Sequence, residues 1–188
     1  MTLRHAVLAA LLDGEYSGYE LTKIFDVGVA NFWQAAPQQV YAELTKLEAD
    51  DLVAGREVVQ DGRPNKRQFT VTDAGVRELA AFATTPVKPL LIRDDLIVKV
   101  HVSDLLDPEP LITQLHERAE AAAAKLTLFE KMMVRLRDGL DEKTFLRQGR
   151  RIGPYLTCLG GRRLEREMRD WCLETARTLA ERQKEERP

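Results

Sequence analysis

The chain has 188 residues, of which 44% are hydrophobic and 31% charged, and a net charge of −2. That is a globular composition, and the length suits one large core or two small ones. No apolar run approaches the roughly 20 residues of a membrane helix and no signal-peptide pattern opens the chain, so a cytoplasmic location is expected.

Charge is unevenly distributed. Residues 1–85 hold 8 Lys/Arg and 12 Asp/Glu, a net of −4, and the remainder is +2. An acidic N-terminal half counts against nucleic acid as a partner. Arg63, Lys66 and Arg67 nevertheless cluster within five residues, while Glu48, Asp50, Asp51, Asp73 and Glu78 fall elsewhere. A local phosphate-binding patch of modest, salt-sensitive affinity is therefore expected.

Leu3–Leu12 reads as a short helix with Val7, Leu8, Leu11 and Leu12 inward, ended by Gly14. Ser17-Gly18-Tyr19-Glu20 fits a capping box opening a second helix, with Leu21, Ile24 and Phe25 buried. Gly28 lies near its end, and Phe32–Trp33 are expected to plug the core before a third helix. There Val40, Leu44, Leu47 and Leu52 recur at helical spacing behind Pro37, which suits a first turn. Gln38, Gln39, Tyr41, Glu43 and Lys46 face outward, and glutamine can pair bidentately with adenine in a major groove. The same pattern also describes an ordinary surface helix.

Beyond Leu52 the period changes. Gly55–Gln60 and Arg67–Thr72 read as strands around the turn-forming Asp61-Gly62-Arg63-Pro64-Asn65, a hairpin whose tip carries Arg63, Asn65 and Lys66. Thr72-Asp73 caps a fourth helix to about Thr84, packed through Val76, Leu79, Ala80 and Phe82. Helix–helix–helix–hairpin is the winged helix-turn-helix arrangement, in which the tip can reach phosphate.

Pro86 and Pro89 mark a boundary, giving a winged helix domain over 1–85 and a long-helix dimerisation domain over 86–188. The expected fold is mainly α with a small β-hairpin. Three further helices are predicted: Leu91–Leu106, one from Pro110, and one from near Glu142. Leu111, Leu115, Ala119, Ala122, Leu126, Phe129, Met133, Leu136 and Leu140 form a heptad-like seam, and Leu164, Met168, Trp171, Thr175 and Leu179 repeat the spacing. An intrachain helix hairpin covers part of this surface. The rest calls for a homodimer interface at Leu115, Ala122, Leu126, Phe129, Met133, Leu136, Leu164, Met168 and Trp171.

Catalysis is not expected. His5, His101 and His116 are scattered, Ser17 and Ser103 lack nucleophile-elbow flanks, and Gly160-Gly161-Arg162 lacks the strand context of a phosphate loop. Cys158 and Cys172 lack metal-ligand spacing and read as buried thiols, so neither metal nor cofactor is expected.

Gly18-Tyr19-Glu20-Leu21, Phe32-Trp33, Gln39-Val40-Tyr41, Glu43-Leu44, Lys46-Leu47-Glu48, Gly62-Arg63-Pro64 and Thr72-Asp73-Ala74-Gly75 together resemble the PadR family of bacterial transcriptional regulators. The resemblance runs from residue 3 to about 84. The Arg93-Asp94 stretch and the Trp171 helix are similar to the dimerisation region of longer members. It implies an N-terminal winged helix, a helical C-terminal dimerisation domain and, most often, repression of a neighbouring gene; the homodimer that the seam calls for would then meet a pseudo-palindromic operator in double-stranded DNA, with a small aromatic molecule as candidate effector. The implied DNA contacts are Tyr19 and Lys23 in the second helix, Gln38, Gln39, Tyr41 and Lys46 in the third, and Arg63, Asn65, Lys66 and Arg67 in the wing. Two departures stand out: Ala36 replaces a frequent serine cap, and Asp51 replaces a glycine, where aspartate tolerates a left-handed backbone better than most residues. The surface expected for an effector lies where Phe129, Trp171 and Leu91–Val102 would meet. The alternative is a winged helix module that binds protein without specific DNA binding.

Overall fold

The computed structural model describes residues 3–25, 35–59, 65–87, 89, 92–105 and 107–186. Phe32, Trp33, Gly28 and Arg63 lie outside them, as does most of the hairpin turn. The chain divides into two compact units, Met1–Lys88 and Pro89–Pro188.

The first unit contains α1 (Leu3–Leu11), β1 (Tyr16–Ser17), α2 (Gly18–Phe25), α3 (Pro37–Ala49), β2 (Val53–Val58), β3 (Lys66–Val71) and α4 (Asp73–Ala83). The helical spacing read in α1 and α3 delivers one core, in which Val7, Leu8, Leu11, Leu21, Val40, Leu44, Leu47, Val53 and Phe69 are buried. Each large aliphatic side chain so buried contributes roughly 1.5–3 kcal/mol relative to exposure. Leu12 is not inward: it follows the last turn of α1 and is exposed.

The expected hairpin is β2 paired antiparallel with β3, Val53 opposite Val71 and Val58 opposite Lys66. A third strand, for which the sequence pattern carries no signal, joins it. Tyr16 and Ser17 pair with Phe69 and Gln68, giving the order β1-β3-β2. Two residues carry no periodicity, so only the tertiary fold reveals them as a strand.

Chain reversals follow local chemistry. Asp51 has φ 56°, the left-handed conformation expected of it, and the Leu52 and Asp51 N–H groups donate to the Leu47 and Glu48 carbonyls. This is a Schellman closure built on aspartate. The Thr72 hydroxyl accepts from the Gly75 N–H at 3.1 Å and donates to the Asp51 carbonyl at 2.7 Å, capping α4 and tying it to the end of α3. In α4, Val76 and Ala80 are exposed, contrary to expectation. Gly75 is the buried position, where a Cβ would overlap the Leu52 carbonyl, and Leu79 one turn on packs against the core.

The second unit contains α5 (Asp95–His101), a short 3-10 turn (Ser103–Leu105), α6 (Glu109–Arg137), α7 (Glu142–Gln148) and α8 (Gly153–Glu186). Of the predicted Leu91–Leu106 helix, the described residues form the seven-residue α5, capped by Asp94, whose carboxylate accepts from the Leu96 N–H at 3.0 Å. The single helix expected from Glu142 is two: α7 ends at Gly149, whose backbone turns extended (φ −63°, ψ 134°) before α8 begins at Gly153. The heptad seam of α6 does have a partner, and it is α8 of the same chain. Leu111, Leu115 and Ala119 pack with Cys172 and Ala176, whereas Phe129 and Met133 pack with Tyr155 and Cys158, so the two helices run antiparallel. Gly161 admits the Phe129 ring where a Cβ would collide with it. Both cysteines are buried, and burial raises the pKa of the Cys172 thiol.

Candidate nucleic-acid interface

Helix α3 projects from the first unit with its apolar side buried and Gln38, Gln39, Tyr41 and Lys46 exposed. Pro37 occupies its first position, as expected. Ala36 offers no side-chain cap, but the Gln39 side chain reaches back and its Oε1 accepts from the Ala36 N–H at 2.9 Å. One half of a capping box therefore survives without the serine. The cap commits one lone pair of Gln39 Oε1 and restricts how its amide can turn towards a base, whereas Gln38 is exposed and makes no such cap.

Tyr41 is 47% exposed, and its ring lies against Gly18, where any Cβ would overlap it. Gly18 begins α2, so the absence of a side chain lets the start of α2 approach the outer face of α3. Tyr19 is 60% exposed on α2, with the Lys23 ammonium 4.5 Å from its ring centroid. The cation–π contact presents a phenol hydroxyl and an ammonium together. Lys46 lies 3.9 Å from Glu43.

The wing strands differ from expectation. Lys66 and Arg67 were read as a patch with the acids elsewhere, yet two acids come to them. Lys66 Nζ is 3.4 Å from Glu20 Oε1, and Arg67 Nη2 donates to Glu48 Oε1 at 2.6 Å. Asn65 Nδ2 donates to Glu57 at 3.0 Å, and Arg56 pairs with Glu15 at 2.6 Å. The Ser17 N–H and hydroxyl donate to the other oxygen of Glu20 at 2.7 and 2.8 Å. These Ser17 bonds, then the Lys66 charge, hold the Glu20 carboxyl below its ordinary pKa. Sequence spacing missed Glu20 and Glu48 as members of this surface because they lie 46 and 19 residues from their partners.

The residues expected at a dimer interface divide into two groups. Leu115, Ala122, Leu126, Phe129 and Met133 are buried within the chain, because α8 and α7 already fill the seam; Leu136, Met168 and Trp171 are half-buried, and Leu164 is 56% exposed. Of the expected effector surface, Trp171 does pack with Leu96 and Val100, whereas Phe129 belongs to a separate cluster with Tyr155. A cavity of about 640 Å³ is lined by Arg93, Asp94, Lys99, Gln114, Glu117 and Arg118, among others. Arg118 bonds Asp94 at 2.9 and 3.4 Å, so its walls are polar rather than aromatic. Among the described residues, no His, Cys, Asp and Glu group has the arrangement of a metal site, and no helix is long and apolar enough to cross a membrane.

Residues 7–81 match the sequence model of the "Transcriptional regulator PadR-like family", and residues 92–180 match "Virulence activator alpha C-term". The probable transcriptional regulator Rv1176c of Mycobacterium tuberculosis is 31% identical over 96% of this chain and 99% of its own. The chain belongs to the PadR-like family of transcriptional regulators. The negative transcriptional regulator PadR of Bacillus subtilis is 29% identical over 70% of this chain and 75% of its own. The crystal structure of that PadR with operator DNA has a TM-score of 0.71 at 24% identity, covering 94% of this chain and 98% of the other. Its crystal structure with p-coumaric acid gives 0.66 at 23%, over 95% of each chain. A winged helix fold accounts for the first unit's three helices followed by a hairpin.

Proposed function

We propose that the protein is a cytoplasmic, homodimeric PadR-like repressor that binds a pseudo-palindromic operator, with 1–85 as its DNA-binding domain and 86–188 as its dimerisation domain. The observation that carries this reading is the exposed polar face of α3, flanked by the Tyr19–Lys23 pair, on a winged helix unit. Tyr19 and Lys23 contact phosphate, and Gln38, Tyr41 and the capping Gln39 reach base edges. Arg63 and Asn65 serve the wing tip. Dimerisation uses apolar side chains that the intrachain packing leaves exposed, among them Val98, Val134, Leu156 and Leu164. A two-fold dimer presents two α3 helices to matching half-sites.

Bacillus subtilis PadR has been crystallised with operator DNA and with p-coumaric acid. By analogy, a small aromatic acid that binds one spacing of the two α3 helices better than the other would release this protein from its operator. The test is a fluorescence-anisotropy titration against the duplex upstream of its own gene and a scrambled duplex, at several salt concentrations, followed by a panel of aromatic acids. Selective binding by two subunits per site is expected. Weak, unselective binding at every salt concentration favours the protein-interaction reading, which the carboxylates beside the wing cations support.

A further inference from the structure

Two cations of β3 face carboxylates that are themselves anchored, and the asymmetry matters for DNA binding. Glu48, in the last turn of α3, is bonded through Oε1 to the Gly55 N–H at 3.1 Å and to Arg67 at 2.6 Å. A Cβ on Gly55 would overlap both the Glu48 carboxylate and Arg67 Nε, so the bare glycine leaves room for this pair against the strand and a side chain there would have to displace one of them. The backbone bond fixes Glu48 from behind. Arg67 has no such anchor: its side chain is 58% exposed, 5.9 Å from the Phe69 ring centroid, and can pivot away. Glu20 is likewise held by Ser17 while Lys66 is held by Glu20 alone among the bonds seen.

A phosphate approaching the wing must therefore exchange one ion pair for another and then lie near a carboxylate that cannot leave. Little counterion release accompanies such an exchange, so it adds little to sequence-independent affinity. Exposed ion pairs are weak enough to be exchanged when base contacts hold the DNA against the wing. We propose that Glu48 is a specificity-setting residue: it keeps Arg67 from phosphate on non-cognate DNA and yields it only on a duplex held by α3. Glu48 is a positioning residue here, acting through Arg67, and the inference rests on the DNA-binding reading above.

Glu48→Gln removes the charge but keeps an oxygen for the Gly55 N–H, and Arg67→Gln removes the cation. Both full-length variants and the wild type are titrated by anisotropy against the scrambled duplex from about 50 to 200 mM salt, with circular dichroism melts as a folding control. Glu48→Gln is expected to bind that duplex several-fold tighter at the lowest salt. Its log–log salt slope should steepen by about one unit per subunit, an extra loss of roughly 3.5-fold across that range. Arg67→Gln should leave the wild-type slope on scrambled DNA unchanged and should abolish the gain when combined with Glu48→Gln. A folded Glu48→Gln protein with an unchanged or shallower slope overturns the proposal while leaving DNA binding intact. A flattened slope in Arg67→Gln alone does the same, since Arg67 would then already touch phosphate. A wild type without salt-dependent binding to either duplex sinks the DNA-binding reading, and this inference with it.

Discussion

The two units solve the problem of an apolar surface differently. The first closes its core with a three-stranded sheet and four helices and covers its outside with ion pairs such as Arg67–Glu48 and Arg56–Glu15. The second satisfies its long seam by folding α6 onto α8 and still leaves Val98, Leu105, Val134 and Leu164 more than half exposed. A self-sufficient core with a polar face suits transient contact with a charged polymer. A helical layer with apolar side chains outside suits a permanent partner.

The largest expected effects come from breaking each core. Phe129→Ala in the second unit and Leu44→Ala in the first should cost about 3–5 and 2–5 kcal/mol respectively in chemical denaturation, because both positions are almost inaccessible to solvent. Phe129 has the further duty of filling the space against Gly161, so Gly161→Val should destabilise as well, by roughly 1–3 kcal/mol through overpacking. The contrast in surfaces is sharpened next: Leu164→Arg should shift light-scattering mass towards the monomer, whereas Val76→Arg, exposed on α4, should not. Equal effects from the two would erase the distinction between the units.

Smaller effects concern joints. Thr72→Ala removes the cap on α4 and its bond to Asp51, for an expected loss of about 0.5–2 kcal/mol in thermal or denaturant melts. The smallest is a pH effect. The folded-state pKa of Glu20 is depressed, so its contribution is fully present above the ordinary glutamate value of about 4.3 and disappears as pH falls through the folded value. The stability difference between wild type and Glu20→Gln should accordingly be seen at neutral pH and vanish in acid. Tyr155 behaves in the opposite sense. Burial, then a hydrogen bond to Glu142, raises its pKa, so its contribution holds below the ordinary tyrosine value of about 10 and is lost as pH rises through the folded value.

Much of the architecture is determined by sequence alone. Apolar residues at helical spacing place α1, α3 and α6; Ser17 with Glu20 and Thr72 with Gly75 set helix starts through hydrogen bonds over three residues; Asp51 turns left-handed, a conformation aspartate tolerates better than most residues. These are local interactions, and local interactions can be read from neighbours in the chain. Tertiary structure decided the rest. It made a strand of Tyr16–Ser17, turned α6's seam inward onto α8, separated Phe129 from Trp171, and brought Glu20 and Glu48 to the wing cations. Periodicity says that a face must be covered but not by what, and charge counts say how many acids a region has but not which cations they meet. Both answers depend on contacts between residues far apart in sequence.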